Sequence, residues 1–202
     1  MNPDLIFSLL LLLISVVAHE VAHGIVALWC GDPTAKLAGR LTANPLKHIE
    51  VFGSIIVPIL TGLAGMPFGW AKPVPVNPYN FKNRRWGELF VSSAGIIVNF
   101  AIALVFGLII RFGGTSLPVS FIHISAIVVA INVTLILLNI LPIPPLDGSR
   151  ILFALLPERL RYIQEAFERY SLVIAVIVLI VVWRFVEPFA PLLFNFLTGL
   201  SA

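Results

Sequence analysis

Two histidines and a glutamate occur close together in a strongly apolar stretch near the N-terminus, VVAHEVAHGIV at residues 16–26. His19 and His23 are four residues apart, so on a helix their side chains lie on one face, about one turn apart. This spacing lets both imidazoles bind one metal ion at about 2.0–2.1 Å. Glu20 lies about 100° around the helix, where its carboxylate can reach a water molecule at the metal. The pattern HExxH therefore predicts two zinc ligands and a general base.

A purely structural interpretation of these three residues is the alternative. Two histidines can be satisfied by hydrogen bonds in a helical core, and a glutamate can bond to a neighbouring helix. Ionisable side chains in the middle of a bilayer cost several kcal/mol unless they are paired, and they usually mark a functional site. The apolar surroundings therefore favour the metal site.

Two histidines leave a catalytic zinc site incomplete, because such sites use three protein ligands and one open position. His48 lies at a loop edge and His123 lies early in a later apolar segment, so neither is favoured as the third ligand. Asp147, in LPIPPLDG, follows an apolar segment, and the prolines and Gly148 around it permit an unwound backbone that directs the carboxylate towards another helix. Asp147 is therefore the favoured third ligand. The alternative is that it caps a helix beginning at Ser149.

The elements that must position these residues are membrane helices. Of the 202 residues, 59% are hydrophobic and only 11% are charged, and the mean hydropathy is +1.02, whereas soluble domains carry about 25% charged residues. The composition predicts one integral-membrane domain at 1–202. Its core at about 5–156 contains the candidate catalytic residues, and a C-terminal helix and tail follow at 157–202. No basic surface interleaved with aromatic residues is evident, so we expect no nucleic-acid partner. Cys30 is alone, which excludes an intrachain disulfide and a cysteine-based zinc site.

The lengths of the apolar segments predict an all-α, polytopic membrane helix bundle. Four full spans are predicted, at 5–30, 88–110, 117–141 and 160–186. Residues 51–69 are apolar but interrupted by glycine and proline, which predicts either a re-entrant segment or a fifth span. Residues 31–48 are predicted to form a loop or short β-hairpin, and the proline-rich residues 70–86 are predicted to be extended rather than helical. Together they form a short extended or β-hairpin loop near the active site.

The basic residues favour the re-entrant alternative. If 51–69 is re-entrant, all of the 13 Lys and Arg residues except Arg111 and Arg184 lie on one side of the membrane. If 51–69 crosses the membrane, the division between the two sides is weaker. Cytoplasmic loops carry the excess of basic residues, so we expect the N-terminus to lie outside the cytoplasm.

The motifs HEVAHG and, over a hundred residues later, NILPIPPLDG resemble the paired motifs of the site-2 protease family of intramembrane zinc metalloproteases. Residues 31–50, 69–77 and 92–100 resemble further stretches of the short prokaryotic branch of that family, which lacks PDZ and CBS domains. The resemblance extends over about residues 5–156. Ile96 stands where the family often has proline, which affects the expected local helix geometry but not the metal site.

The resemblance implies a role for each site residue. His19, His23 and Asp147 would bind one Zn²⁺ per chain. Glu20 would be the general base, and Asn139 a polar group near the substrate or the oxyanion. The alternative for Asn139 is a structural asparagine bonded to backbone that the proline break frees. The implied location is a prokaryotic cell membrane, which the chain crosses several times.

The predicted function is hydrolysis of peptide bonds of transmembrane protein substrates within or near the bilayer. The expected partners are these substrates, the lipid bilayer, and a regulatory membrane protein or further copies of the chain. A substrate helix must partly unwind, because its backbone is hydrogen-bonded, and we expect residues 70–80 and the 31–48 loop to receive it as an added strand. A membrane metal transporter and a catalytically silent scaffold with the same His/Asp site are the alternatives.

Overall fold

The residues that the structure describes contain seven α-helices. The structure is a computed structural model that describes residues 3–50, 53, 56, 72–157 and 183–200. The helices are α1 Pro3–Cys30, α2 Thr34–Leu37, α3 Arg84–Gly113, α4 Val119–Asn139, α5 Asp147–Leu155, α6 Trp183–Val186 and α7 Phe189–Thr198. Short 3₁₀ helices occur at Pro45–Lys47, Pro78–Asn80 and Gly114–Ser116. These residues include no β-strand, which agrees with the all-α prediction but does not confirm the β-hairpin alternative for 31–48, where α2 and a 3₁₀ helix are found.

Three of the helices are long and apolar enough to cross a membrane, at Ile6–Cys30, Arg84–Gly113 and Val119–Asn139. At 1.5 Å per residue each of them exceeds the roughly 30 Å of a bilayer core. They correspond to the first three predicted spans. Nearly all of the fourth predicted span, at 160–186, and nearly all of the interrupted segment at 51–69 lie outside the described residues.

Helix α3 begins at Arg84, four residues earlier than the predicted start at 88. The cause is Asn83, whose side-chain oxygen accepts a hydrogen bond of 3.1 Å from the backbone N–H of Trp86. This bond satisfies one of the free N–H groups at the helix start. The preceding residues 72–77 are non-helical, as predicted from their prolines, and Asn77 has extended φ and ψ angles. The prediction of extended backbone over 70–86 is wrong at Pro78–Asn80 and from Arg84 onward, which are helical.

At the end of α1, Gly31 adopts φ +110°. A left-handed residue of this kind lets the chain turn back over the last helical turn, and here the N–H of Asp32 donates to the carbonyl of Ala27 at 2.9 Å. The carbonyl of Cys30 also accepts a bond of 2.9 Å from the N–H of Lys82. The end of α1 therefore lies beside the residues that lead into α3.

The core divides into an apolar part and a polar part. The apolar part, called the apolar cluster below, joins α3, α4 and α7 and consists of Ala103, Ile110, Val129, Val133, Ile136 and Leu197. A Cβ on Gly107 would lie 2.9 Å from the Cβ of Leu197, so this glycine allows α7 to pack closely on α3. A buried polar contact joins α1 to α4, where Nδ2 of Asn132 donates to Oγ of Ser15 at 3.0 Å.

Candidate metal centre

The three predicted metal ligands come together where the start of α5 packs on α1. His19 and His23 lie on one face of α1, with their ring centroids 4.6 Å apart and their planes at 87°. Oδ2 of Asp147 lies 3.0 Å from Nε2 of His19 and 3.2 Å from Nε2 of His23. All three side chains are buried, and their candidate ligand atoms lie within 4.8 Å of one another. No other group of three or more His, Cys, Asp or Glu residues in the described part of the chain could hold a metal ion in this way.

Asp147 is the first residue of α5 and not its cap. Leu146 occupies the N-cap position without a side-chain hydrogen bond, so the alternative role considered for Asp147 is wrong. The next residue must be glycine, because a Cβ on Gly148 would lie 2.3 Å from the carbonyl oxygen of Ile140 and 2.4 Å from that of Leu141. The absence of a side chain lets the start of α5 sit against the end of α4, which brings the carboxylate to α1.

The other end of α5 is fixed to α3. Arg85 donates from Nε to the carbonyl of Ala154 at 3.0 Å and from Nη2 to the carbonyl of Leu155 at 2.9 Å. These carbonyls are among the last of the helix and have no partner within it. Both ends of the short helix that carries Asp147 are thus held by neighbouring helices.

His23 has the tautomer that a metal ligand needs. Its Nδ1 lies 2.6 Å from the carbonyl oxygen of Val91, and since a carbonyl can only accept, Nδ1 carries the proton and donates it. In the neutral ring Nε2 then has a lone pair and no proton. This lone pair faces Oδ2 of Asp147, which is itself a buried acceptor without a hydrogen-bond partner. Two acceptors at this distance repel unless a cation lies between them.

His19 is oriented by α3 in a similar way. Its Nδ1 lies 3.1 Å from Nδ2 of Asn99, whose Oδ1 is buried without a partner. When the amide turns over, Oδ1 accepts the Nδ1 proton and Nε2 of His19 is left free for a metal. One turn earlier, a Cβ on Gly95 would lie 2.4–2.5 Å from atoms of the His19 ring. Gly95 therefore gives the ring its space, and Asn99 gives it a partner.

The donor set fits a zinc ion. Two ligands of a tetrahedral zinc with bonds of about 2.0–2.1 Å lie roughly 3.3 Å apart, close to the two measured distances from Asp147 to the histidines. Two imidazoles and one carboxylate also form a known catalytic combination that leaves one position open. A Zn²⁺ ion held by His19, His23 and Asp147 would give the unpartnered oxygen of Asp147 a ligand bond.

Glu20 lies beside this group, on the same helix. Its side chain is half-buried, and Oε2 accepts a hydrogen bond of 2.9 Å from the backbone N–H of Val74 in the extended segment. Oε1 has no hydrogen-bond partner among the described residues. The bond from Val74 could not be predicted from sequence patterns, because 54 residues separate the two partners.

The structure does not place the other polar candidates in the cluster. Nδ2 of Asn139 donates to the carbonyl of Leu135 in its own helix at 3.0 Å, and the side chain is half-buried. His48 is fully buried and donates from Nε2 to the carbonyl of Thr42 at 2.9 Å. His123 is exposed on α4. The preference for Asp147 over the two remaining histidines as the third ligand thus agrees with the observed geometry.

A buried aspartate ties the loop after α1 to the segment that contacts Glu20. Asp32 accepts hydrogen bonds from the N–H of Asn77 at 2.7 Å, from Nδ2 of Asn80 at 2.8 Å and from the N–H of Thr34 at 3.1 Å. Burial alone would raise the pKa of Asp32, but these hydrogen bonds outweigh it and hold the pKa below its usual value. The carboxylate is therefore an ionised anchor between the 31–48 loop and residues 72–80.

Comparisons with known proteins identify the family of the chain. The model of "Peptidase family M50" matches residues 7–115 and 107–182. "Putative zinc metalloprotease YwhC" of Bacillus subtilis is 36% identical over 181 residues, which are 86% of this chain and 80% of YwhC. The chain belongs to peptidase family M50, the site-2 protease family. The resemblance inferred from HEVAHG and NILPIPPLDG is thereby confirmed.

Two less similar relatives are longer than this chain. "Putative zinc metalloprotease Rip2" of Mycolicibacterium smegmatis is 34% identical over 173 residues, which are 83% of this chain but 64% of that relative. Rip2 of Mycobacterium tuberculosis is 31% identical over 144 residues, 67% of this chain and 52% of the relative. No solved structure matches the chain. Membership of the M50 family makes the chain a zinc metalloprotease, and the three long apolar helices among the described residues point to a membrane protein. The transporter and scaffold alternatives gain no support.

Proposed function

We propose that this metalloprotease cleaves peptide bonds of transmembrane protein substrates within or near the bilayer, with one Zn²⁺ held by His19, His23 and Asp147. The observation that supports the proposal is the convergence of three buried ligand atoms within 4.8 Å on helices that include a membrane-crossing one. Ionisable groups at such a depth require a function that offsets their cost.

Glu20 is the general base in this proposal. The bound zinc would supply a Lewis acid that acidifies a water molecule and polarises the scissile carbonyl. Glu20 takes a proton from the attacking water and returns it to the leaving amine. The N–H of Val74 holds Oε2 of Glu20 at 2.9 Å, which leaves Oε1 for the proton transfer.

Asn139 is proposed as a polar group beside the substrate carbonyl. It is the last residue of α4, directly before the LPIPPLDG segment that leads to Asp147. Its amide bonds to the carbonyl of Leu135 without substrate, and in the reaction Nδ2 turns to donate to the developing oxyanion. Loss of such a donor costs about 10²–10³-fold in kcat, so Asn139→Leu should lower kcat to this extent and leave zinc binding unchanged.

The same proposal includes the membrane arrangement. We infer four full spans with a re-entrant segment at 51–69 and an N-terminus outside the cytoplasm of a prokaryotic cell, since this arrangement collects the basic residues on one side. The substrate pairs as an added strand with the extended segment 72–77. If Val76→Pro leaves cleavage unchanged, strand addition at this segment is wrong. A regulatory membrane protein or a second copy of the chain would control access.

The test compares wild type with Glu20→Gln in purified, zinc-loaded protein. A fluorescence-quenched peptide that contains one apolar span, in detergent micelles, reports cleavage, and zinc is measured by elemental analysis. Glu20→Gln should keep its zinc and lose cleavage, because the amide cannot accept a proton. The control, Glu187→Gln, changes an exposed glutamate outside the site and should leave both unchanged. Undiminished cleavage by Glu20→Gln would contradict the proposal.

A further inference from the structure

The extended segment 72–77, KPVPVN, is held by hydrogen bonds from several parts of the chain. Pro73 and Pro75 have no N–H, so only four backbone donors remain in it. Two of them bind the 31–48 loop: the N–H of Lys72 donates to the carbonyl of His48 at 2.8 Å, and the N–H of Asn77 donates to Asp32 at 2.7 Å. The segment is thus fixed near both of its ends.

The donor in the middle of the segment reaches the site. The N–H of Val74 donates to Glu20, and the buried side chain of Val74 packs over Gly24, one helical turn after Glu20 on α1. A Cβ on Gly24 would lie 3.0 Å from Cγ1 of Val74. The backbone of the segment can approach α1 this closely because residue 24 has no side chain. The position of Glu20 therefore depends on where the segment lies.

Arg40 contacts the part of the segment next to Val74. Its Nη2 donates to the carbonyl of Lys72 at 2.6 Å and lies 3.4 Å from the carbonyl of Pro73. The peptide bond of Pro73 leads straight to the N–H that binds Glu20. Arg40 is buried, and a buried arginine is rare unless its charged group is paired with an acceptor. Hydrogen bonds from a charged donor are stronger than neutral ones, and two adjacent carbonyls define the orientation of this stretch.

We propose that Arg40 is a positioning residue of the hydrolytic reaction, which holds the carbonyls of Lys72 and Pro73 so that the N–H of Val74 fixes the carboxylate of Glu20. This inference rests on the proposed role of Glu20 as the general base. Arg40 touches neither the zinc ligands nor the reacting atoms. Its loss loosens the base without removing it and leaves the metal in place.

The experiment measures steady-state kinetics and zinc content of purified, zinc-loaded variants with the fluorescence-quenched span peptide. Arg40→Met keeps most of the side-chain volume and removes the donors. We expect kcat to fall about 10–100-fold, since small misplacements of a catalytic group have effects of this order, while KM and zinc content stay within about twofold. Arg40→Lys, which keeps one charged donor, should retain more of kcat. Arg184→Met removes an exposed arginine outside the site and should behave as wild type.

A double-mutant comparison separates positioning from general destabilisation. Val74→Pro removes the N–H that binds Glu20, so it should lower kcat by itself. If Arg40 acts through this N–H, adding Arg40→Met to Val74→Pro should lower kcat no further, because interacting sites are not additive. If the two losses multiply, Arg40 acts by another route and the proposal is wrong. Arg40→Lys replaces Arg40→Met in the same comparison if the methionine variant does not fold.

The outcomes distinguish this inference from the function on which it rests. If Glu20→Gln still cleaves the peptide, the role of Glu20 is wrong, and the inference fails with it. If Glu20→Gln is inactive and Arg40→Met has the kcat of wild type, only the role of Arg40 is wrong. Loss of zinc from Arg40→Met would also overturn it, because the proposal leaves the metal site unaffected.

Discussion

The metal centre and the apolar cluster are both buried, yet they are held together by different forces. Around His19 and His23 the neighbouring groups are an amide, a carbonyl and a carboxylate, together with glycine at position 95. In the apolar cluster the buried side chains are aliphatic and close-packed, and Leu197 is 2% exposed. The metal centre therefore depends on the direction of its hydrogen bonds and ligand atoms. The apolar cluster depends on how completely its side chains fill the space between the helices.

Because of this difference, we expect the apolar cluster to contribute to stability and the metal centre to contribute to metal binding. Lipid is as apolar as leucine, so the helices of a membrane protein associate through packing and interhelical hydrogen bonds. The apolar cluster supplies the packing that holds α3, α4 and α7. The metal centre can then hold side chains whose own burial is unfavourable. Substitutions in the apolar cluster should change the free energy of unfolding, and substitutions at the metal centre should change metal affinity.

The largest effect on metal affinity is expected for Asp147→Ala. It removes one of three proposed zinc ligands, so the Kd for zinc should rise by more than the ~100-fold that loss of a supporting contact costs. Competition with a fluorescent zinc chelator measures this Kd. Glu187→Ala, at an exposed position outside the site, should bind zinc as wild type does. An unchanged Kd for Asp147→Ala would require another third ligand.

A smaller effect on metal affinity is expected for Asn99→Leu. It removes the acceptor for the Nδ1 proton of His19, and loss of a partner of this kind raises the Kd for zinc about 10–100-fold. Asn99→Asp keeps an acceptor and should bind zinc nearly as tightly as wild type. Asn132→Leu is the matched control, since this asparagine is equally buried but bonds to Ser15. Equal zinc affinity for Asn99→Leu and Asn132→Leu would remove Asn99 from the site.

Leu197→Ala should have the opposite result, a loss of stability with no loss of metal affinity. Truncation of a buried leucine costs about 2–5 kcal/mol, which should lower the Tm of the protein in detergent micelles. The Kd for zinc should stay within about twofold, because Leu197 packs against α3 at Gly107, away from Gly95 and Asn99. A rise in the zinc Kd comparable to that of Asn99→Leu would show that the two regions are not independent.

The smallest effect concerns Asp32 and pH. Because the folded-state pKa of Asp32 is lowered, its ionised form stabilises the protein above its unfolded pKa of about 3.9. This stabilisation is lost as the pH falls through the lower folded pKa. In metal-free protein, the difference in Tm between wild type and Asp32→Asn should thus be present at pH 7 and shrink below about pH 4. A difference that is constant with pH would contradict the ionised anchor.

The ligand residues could be predicted from the sequence because their geometry is local. The spacing of His19 and His23 is fixed by the period of a helix, and the prolines before Asp147 indicate an unwound segment whatever the rest of the fold. The predicted start of α3 is four residues late, because the apolar pattern does not include the helix cap at Asn83. Capping is also local, so this signal could have been used.

The residues that orient the ligands could not be predicted in the same way. Asn99 lies one turn after Gly95, and both meet His19 from another helix. The bonds from Val74 to Glu20 and from Arg40 to Lys72 span 54 and 32 residues. Such contacts depend on how distant segments pack, and neither composition nor periodicity contains that information.

The most direct test of the central claim is X-ray absorption spectroscopy of the zinc-loaded protein. The account predicts oxygen and nitrogen ligands only, with scattering from two imidazoles at about 2.0–2.1 Å. The imidazole contribution should fall by half in His23→Ala loaded at high zinc concentration. A sulfur ligand, a third imidazole, or a wild-type spectrum from His23→Ala would contradict a zinc site built from His19, His23 and Asp147.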